Sequence, residues 1–353
     1  MQIIKAVVTP VELSLREPVR MVGVMEITSI TAIFVRLDTR EGQSAWGCTV
    51  AHEQLTGEDP QDVLRVCQQC ADMAVDLHPT DIEYSLNQLA PIVEHYPAAR
   101  CAFDLAFHDL LGLAAGMPLY RLLGGYRNKM QTSATIPISS VVESVELANA
   151  RVKAGFRMLK IKGGMDPDQD VQRVKSIRRS LPDLILRLDA DGAYSIRQAL
   201  DVARALSKDI EMLEQPTAWD DIESLRQVTM QSRVPILADQ SATEPASALA
   251  VAAGQAADGL SVKMASCGGL RCARQIDAIA RAARIATMVS CLIEPALLIA
   301  AGLSFALSSP NVKYGDLDGH LDLLSDPTIA GFRLEEGWLI ATDMPGLGCT
   351  VDL

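Results

Sequence analysis

Short apolar runs recur along this chain from residue 131 onward, and each precedes a longer segment rich in charged, Ala and Leu residues. From the second run onward they begin about every 24–27 residues, the length that a parallel strand and its returning helix need. The candidate strands are Gln131–Ile136, Met158–Lys162, Leu184–Asp189, Glu211–Glu214, Ile236–Asp239, Leu260–Met264, Thr287–Ile293 and Val312–Asp316. This repeat predicts a (β/α) barrel, although a doubly wound sheet has the same local periodicity.

The segments on either side of the repeat have a different pattern. Two strand-like runs, Gln2–Leu15 and Ile30–Leu37, precede helical periodicity from about residue 60 to residue 123, as in an α+β domain. The pattern becomes strand-like again from Phe332, with a hairpin expected near Gly337. A chain of 353 residues is also longer than one core usually supports. We predict an α+β domain (1–128), a barrel (129–320) and a C-terminal segment (321–353) that packs back on the first domain.

The composition disfavours several classes of partner. Acidic residues outnumber basic ones by 44 to 32, and the net charge of −12 repels nucleic acid and anionic lipid. The N-terminal residues alternate like a strand and do not resemble a signal peptide, and Glu294 and Pro295 interrupt the most apolar stretch. The eight cysteines show no secreted disulfide framework. We expect a cytoplasmic homo-oligomer that acts on a small molecule and binds neither nucleic acid nor membranes.

Single carboxylates stand at the ends of three successive predicted strands: Asp189, Glu214 and Asp239. A barrel places the C-terminal ends of all its strands on one rim, so these side chains should converge. Buried charges need a partner or a metal ion, and three carboxylates without His or Cys favour Mg²⁺ over Zn²⁺. The sequence therefore predicts a Mg²⁺ site. Each carboxylate taken alone also fits a helix N-cap or a solvated loop charge.

Three lysines occupy strands of the same barrel. Lys160 and Lys162 are two residues apart, so their side chains point to the same face. Two adjacent ammonium groups lower each other's proton affinity, which is one way to obtain a neutral lysine base. Lys263 lies on a strand across the barrel. Lysines on opposite sides could remove a proton from one face of a substrate and return it on the other, or they could only neutralise the carboxylates.

Several motifs, spread over nearly the whole chain, have the order and spacing of one family. They are Leu122-Leu-Gly-Gly-Tyr126, Leu159-Lys-Ile-Lys162, Leu188-Asp-Ala-Asp191, Glu214-Gln-Pro216, Ala238-Asp239, Lys263 with Cys267-Gly-Gly269, and Pro345-Gly-Leu-Gly348. Each motif is weak, but together they resemble the muconate-lactonizing subgroup of the enolase superfamily, and within it the dipeptide epimerases. The resemblance implies an α/β fold: a modified TIM barrel, (β/α)7β, with an N-terminal α+β capping domain that the C-terminal tail completes.

The resemblance also implies roles for particular residues. Asp189, Glu214 and Asp239 would bind Mg²⁺, with Mn²⁺ as a substitute, while Lys162 and Lys263 would exchange the proton next to a substrate carboxylate through an enediolate. The remaining substrate-binding candidates are Lys160, Thr135, Asp316 and Asp318. Lys160 would hold the carboxylate. The Asp316/Asp318 pair would grip the free α-ammonium group of a dipeptide, on a part of the rim away from the metal ligands and lysines.

Some positions depart from the family pattern. Gln240 stands where Glu is usual, Asp191 replaces Asn, and Trp46-Gly47-Cys48 lacks the common Glu after Trp-Gly. A first-domain loop at Met21–Ser29 should cover the substrate, and it contains no arginine. Members of the family that act on a glutamyl residue use an arginine in this loop, so the resemblance implies an apolar or a cationic substrate side chain here, with Glu26 as a partner for the latter. Cycloisomerase, dehydratase and N-acyl amino acid racemase reactions stay open, as does a barrel that binds metal and carboxylate without catalysis.

Overall fold

The N-terminal domain packs helices against a three-stranded antiparallel sheet. In the computed structural model, which describes residues 1–353 except the side chains of Val24 and Met25, its strands are β1 (Ile3–Met21), β2 (Val24–Thr39) and β3 (Ser44–Ala51). The helices are α1 (Glu53–Thr56), α2 (Pro60–Ala74), α3 (Ile82–Val93), α4 (Pro97–Ala115) and α5 (Leu119–Leu122). A Cβ on Gly47 would clash with the Ala102 carbonyl oxygen. Glycine therefore lets α4 approach the sheet closely.

The segment Met21–Ser29, predicted as a loop, is instead the tip of the β1–β2 hairpin. The two strands pair as far as Met21 and Val24, and Gly23 turns the chain with a φ of 67°. The prediction of a loop was wrong because the strand pairing continues into this segment. The side chains of Val24 and Met25 in this segment lie outside the described residues.

Eight parallel strands form the second sheet, after a short β4 (Lys129–Gln131). They are β5 (Ala134–Ile136), β6 (Met158–Lys162), β7 (Ile185–Asp189), β8 (Leu213–Glu214), β9 (Ile236–Ala238), β10 (Gly259–Lys263), β11 (Ala286–Ser290) and β12 (Val312–Gly315). The helices are α6 (Val141–Lys153), α7 (Pro167–Ser180), α8 (Ile196–Ala205), α9 (Ile222–Gln231), α10 (Pro245–Ala253), α11 (Met264–Cys267), α12 (Leu270–Ala283) and α13 (Ala296–Ser308). Two 3-10 turns span Gln240–Ala242 and Gly319–Asp322.

The strand order decides between the two sheet architectures that the sequence left open. Neighbouring strands follow one another without reversal from β5 to β12, whereas a doubly wound sheet changes direction at a switch point. The first and last strands approach each other where the Ser133 amide donates to the Gly315 carbonyl at 3.2 Å. One helix of two turns or more lies between each successive pair of these eight strands in the described chain. The predicted modified barrel of the (β/α)7β type is confirmed.

The C-terminal tail forms short strands and contacts the first domain. It contains β13 (Thr328–Ile329), β14 (Phe332–Glu335), β15 (Trp338–Ala341) and β16 (Thr350–Val351). The predicted hairpin is β14–β15, which also pairs with β4. The Leu119 amide donates to the Gly346 carbonyl at 2.8 Å, and the Leu347 amide donates to Asp109 at 2.7 Å. The two predicted boundaries, after residues 128 and 320, stay a prediction. No helix among the described residues is long and apolar enough to cross a membrane.

Candidate active site

A cavity of about 570 Å³ lies where the C-terminal ends of the barrel strands meet the first domain. The barrel contributes the three lysines and three of the predicted carboxylates, Asp239, Asp316 and Asp318. Strand β1 and the segment after β3 contribute Val19, Met21 and Leu55. Trp219, which follows β8, lines the mouth and is 62% exposed. The first domain therefore forms one wall of the space into which the charged strand ends project.

Lys160 links three carboxylates at the bottom of this cavity. Its Nζ lies 2.9 Å from Asp189 Oδ2, 2.9 Å from Glu214 Oε2 and 2.8 Å from Asp316 Oδ2. The side chain is 3% exposed, so its charge must be balanced locally. Burial lowers the pKa of Lys160, but the neighbouring carboxylates outweigh burial and hold that pKa well above its usual range. Lys160 is therefore an ammonium ion in this arrangement.

Lys162 is paired with two carboxylates from one strand end. Its Nζ lies 2.9 Å from Asp189 Oδ2 and donates to both oxygens of Asp191, at 3.0 and 2.9 Å. Burial lowers the pKa of Lys162 and so does Lys160, but Asp189 and Asp191 outweigh both, and the pKa lies above its usual range. The expectation of a neutral lysine created by its lysine neighbour is wrong for this arrangement, because two carboxylates are closer partners.

Lys263 approaches the same space from β10, four strands away from β6 in the sheet. Its Nζ donates to Asp239, and the residue is 8% exposed. Burial lowers the pKa of Lys263, and so do Lys160 and Lys162, whereas Asp239 and Glu214 raise it; the net shift is upward. Lys162 and Lys263 thus line one cavity from different sides, each with its own carboxylate partner.

The three predicted metal ligands are buried at adjacent strand ends. Asp189, Glu214 and Asp239 are 0%, 1% and 3% exposed. Among the described residues they do not form a cluster spaced to hold an ion, since Lys160 lies between the first two and Lys263 contacts the third. Glu214 Oε1 is buried without a hydrogen-bond partner among the described residues. Three carboxylates, one of them with a free oxygen, are of the kind and number that suit a hard divalent cation. Such an ion would have to replace the contacts that Lys160 and Lys263 make with these carboxylates.

Burial and charge repulsion act strongly on Glu214. Burial raises the pKa of Glu214 to about 7, with Asp189 adding to the rise and Lys160 opposing it. A buried carboxyl group with an uncompensated oxygen and a nearby carboxylate favours any cation that can approach it.

Asp316 and Asp318 occupy different surroundings, although both line the cavity. Asp316 accepts hydrogen bonds from Lys160, at 2.8 Å, and from the hydroxyls of Ser133 and Ser290, at 2.6 and 2.7 Å. Burial raises the pKa of Asp316, but Lys160 and the two serines outweigh burial and bring it to about 2. The expectation that this pair lies away from the lysines is wrong for Asp316, because barrel closure brings the last strand next to β5, the neighbour of β6.

Asp318 is the less compensated member of the pair. It accepts from the Thr135 amide at 2.6 Å and from the Thr135 hydroxyl at 3.2 Å. Burial raises the pKa of Asp318 to about 7, and Asp316 and Asp322 raise it as well. The structure therefore places Thr135 at the site, as a hydrogen-bond partner of Asp318. A cationic ligand beside Asp318 would gain a strong electrostatic partner.

Glu26 is not brought to this cavity. Its side chain is 48% exposed and pairs with Arg20 at 3.2 Å on the hairpin tip. Sequence reasoning also missed Ser133 and Ser290, which orient Asp316. Both serines lie in or next to apolar strand segments, and a hydroxyl in such a run is the signal that would have indicated a buried polar partner.

Comparison with known proteins gives family matches over most of the chain. A model described as "Mandelate racemase / muconate lactonizing enzyme, N-terminal domain" matches residues 3–124, and one described as "Enolase C-terminal domain-like" matches residues 143–353. The L-Lys-D/L-Arg epimerase of Methylococcus capsulatus is 35% identical, over 91% of this chain and 92% of that protein. The hydrophobic dipeptide epimerase of Enterococcus faecalis is 34% identical, with the same coverage.

A solved structure agrees with this assignment. The crystal structure of the dipeptide epimerase from Enterococcus faecalis, complexed with Mg and the dipeptide L-Leu-L-Tyr, has a TM-score of 0.96 and 32% identity. The match covers 99% of this chain and 100% of that one.

Proposed function

Because this chain belongs to the enolase superfamily, we propose that it is a Mg²⁺-dependent epimerase of dipeptides. It removes the α-proton of the C-terminal residue and returns a proton on the opposite face. The observation that carries the proposal is the placement of Lys162 and Lys263 on different sides of one cavity, with buried carboxylates between them. Two acid/base groups facing one carbon from opposite sides are what inversion by proton exchange requires.

The residues of this chain divide the work. Lys162 or Lys263, whichever faces the α-hydrogen, takes the proton in its neutral form, after losing its own proton to solvent, and the other lysine, as an ammonium ion, donates its proton to the opposite face. Lys160 has no role in that transfer, and its ammonium group holds the substrate carboxylate. A Mg²⁺ ion held by Asp189, Glu214 and Asp239, or Mn²⁺ in its place, would supply positive charge that stabilises an enediolate and offsets the surrounding carboxylates.

The last strand supports a dipeptide over other carboxylates. Asp318 is buried and accepts hydrogen bonds only from Thr135 at normal distances among the described residues, with the Cys291 thiol at 3.9 Å. A free α-ammonium group would provide the missing positive charge. Asp316 takes part through Lys160, which joins the ammonium and carboxylate ends of the site.

The walls of the cavity support an apolar or a cationic substrate side chain. Val19, Met21, Leu55 and Trp219 form apolar surface, and Glu53 adds a carboxylate from the first domain. The two relatives named above are described as acting on hydrophobic dipeptides and on L-Lys-D/L-Arg substrates. Glu53 replaces Glu26 as the candidate partner for a cationic side chain. A homo-oligomeric state stays a prediction, which light scattering after gel filtration tests.

The deciding experiment is incubation of a dipeptide library with the enzyme and Mg²⁺ in D₂O, followed by mass spectrometry. An epimerase substrate gains one deuterium without other change in mass, whereas loss of water identifies a dehydratase. The Lys162→Ala/Lys263→Ala double variant is the matched control and should incorporate none. A barrel that only binds metal and carboxylate would leave every dipeptide unlabelled, and that result would remove the proposal.

A further inference from the structure

The two departures at positions 191 and 240 are neighbours in space. Gln240 Nε2 donates a hydrogen bond to Asp191 Oδ1 at 3.2 Å, although the residues are 49 positions apart. Asp191 follows the end of β7, and Gln240 begins the 3-10 turn after β9. Because the contact joins an amide and a carboxylate, the pair adds one negative charge to the site.

That charge lies on the side of Lys162. Both oxygens of Asp191 accept from Lys162 Nζ, at 3.0 and 2.9 Å, in addition to the contact with Asp189. Lys263 has an ion pair with Asp239 alone among the described residues, and the neighbouring Gln240 gives it no second carboxylate. The two lysines therefore face the cavity with unequal partners.

The backbone turns at this point to deliver the carboxylate. Asp191 has a φ of 45° and Gly192 a φ of 79°, so two successive residues adopt left-handed conformations. Such conformations are uncommon for residues other than Gly, although Asp adopts them more readily than most. The Asp191 amide also donates to Asp189 Oδ1 at 3.2 Å. The turn and the Gln240 amide together hold Asp191 against Lys162.

We propose that Asp191, held by Gln240, is a positioning residue for Lys162, and that this pair makes the two bases of the epimerisation unequal. The inference rests on the two-lysine reaction proposed above. The inference concerns the position of the Asp191 carboxylate as well as its negative charge. Exchanging the two side chains, as Asp191→Asn/Gln240→Glu, keeps one amide, one carboxylate and the same total charge. It moves the carboxylate from the residue that contacts Lys162 to the residue that follows Asp239, the partner of Lys263.

The test compares the rates at which the two epimers of one dipeptide exchange their α-hydrogen in D₂O. The Lys162→Ala and Lys263→Ala variants identify which epimer each lysine serves. The exchange ratio is the rate for the epimer that Lys162 serves divided by the rate for the epimer that Lys263 serves. Asp191→Asn should lower this ratio by about tenfold, as expected for loss of a charge-assisted contact. The exchanged double variant should keep the low ratio. Gln240→Ala, which frees Asp191 without removing its charge, should shift the ratio the same way by a smaller factor.

Two further measurements separate positioning from general damage. Mg²⁺ affinity by calorimetry, in the absence of dipeptide, and thermal melting should show that the variants fold and bind the ion. Asp201→Asn, at an exposed position on α8, is the matched control and should leave the ratio unchanged. A ratio within twofold of wild type in both Asp191→Asn and Gln240→Ala would overturn the inference, as would full restoration in the exchanged double variant. Absence of exchange by the wild type would instead overturn the proposed function.

Discussion

Replacing Asp318 with Asn tests the choice of a dipeptide over other carboxylates. The side chain is 4% exposed, so solvent does not screen its charge appreciably. Asn keeps one carbonyl oxygen that can accept from the Thr135 amide, now at 2.6 Å from Asp318. The substitution therefore removes the charge with little change in shape or in local hydrogen bonding.

The expected effect follows from the partner that is lost. A charge-assisted hydrogen bond in a desolvated site contributes about 1.5–3 kcal/mol. Since about 1.4 kcal/mol corresponds to a factor of ten, kcat/KM for a free dipeptide should fall roughly 10- to 100-fold. Asp318 does not contact the metal ligands, so Mg²⁺ affinity should change little. Asp316→Asn is not an equivalent test, because Asp316 is bonded to Lys160.

The assay compares kcat/KM for a dipeptide and for its N-acetyl derivative in wild type and Asp318→Asn. N-acetylation deletes the ammonium charge, so it should harm the wild type much more than the variant. The hypothesis that Asp318 binds the α-ammonium group would be refuted if the wild type preferred N-acylated substrates. It would also be refuted if the substitution lowered kcat/KM equally for both substrates. The N-acyl amino acid racemase reaction would then be the better description.

The same carboxyl group predicts a pH dependence. Burial, Asp316 and Asp322 raise the pKa of Asp318 to about 7, so the group is charged above that pH and gains a proton below it. As pH falls from about 7.5 to 6, KM for a free dipeptide should rise, because the ammonium loses its partner. Staying below about 8 keeps the substrate amine protonated. The trend should flatten in Asp318→Asn, and an equally steep trend there would point to another group.

Three further results are expected. Dialysis against EDTA should abolish turnover and Mg²⁺ should restore it, while Glu214→Gln should lose most Mg²⁺ affinity by calorimetry; full activity without metal would contradict this. Lys162→Ala and Lys263→Ala should each block epimerisation while retaining hydrogen exchange with opposite epimers, and retention with the same epimer would exclude two bases. Asp104→Ala should lower the free energy of unfolding by about 1–3 kcal/mol in denaturant titration, because buried Asp104 accepts from the Leu270 amide at the start of α12, at 2.6 Å; an unchanged midpoint would contradict this.

Local sequence was sufficient to locate the barrel strands and the charged side chains at their ends. Met158–Lys162 was predicted with the bounds that the structure shows, and the other seven candidate strands overlap observed ones. A buried strand appears in the sequence as a run of apolar residues with a charge at its end. This pattern depends only on residues that are neighbours along the chain. The enzyme class, a metal-dependent isomerase of the superfamily, is also confirmed at the level of the family. The strand-like tip at Met21–Ser29 was missed because its pairing depends on β1.

The partners of each charge were decided only by the tertiary structure. Asp316 contacts Lys160 from 156 positions away, and Gln240 contacts Asp191 from 49 positions away, so neither contact has a local signal. The expected pKa shift of Lys162 is reversed by Asp189 and Asp191, 27 and 29 positions away, which outweigh its lysine neighbour. The sequence by itself determined which side chains stand at the strand ends, because strand and helix periodicity is local. Barrel closure decided which of them meet, because the energy of a charge depends on distances that only the closed sheet sets.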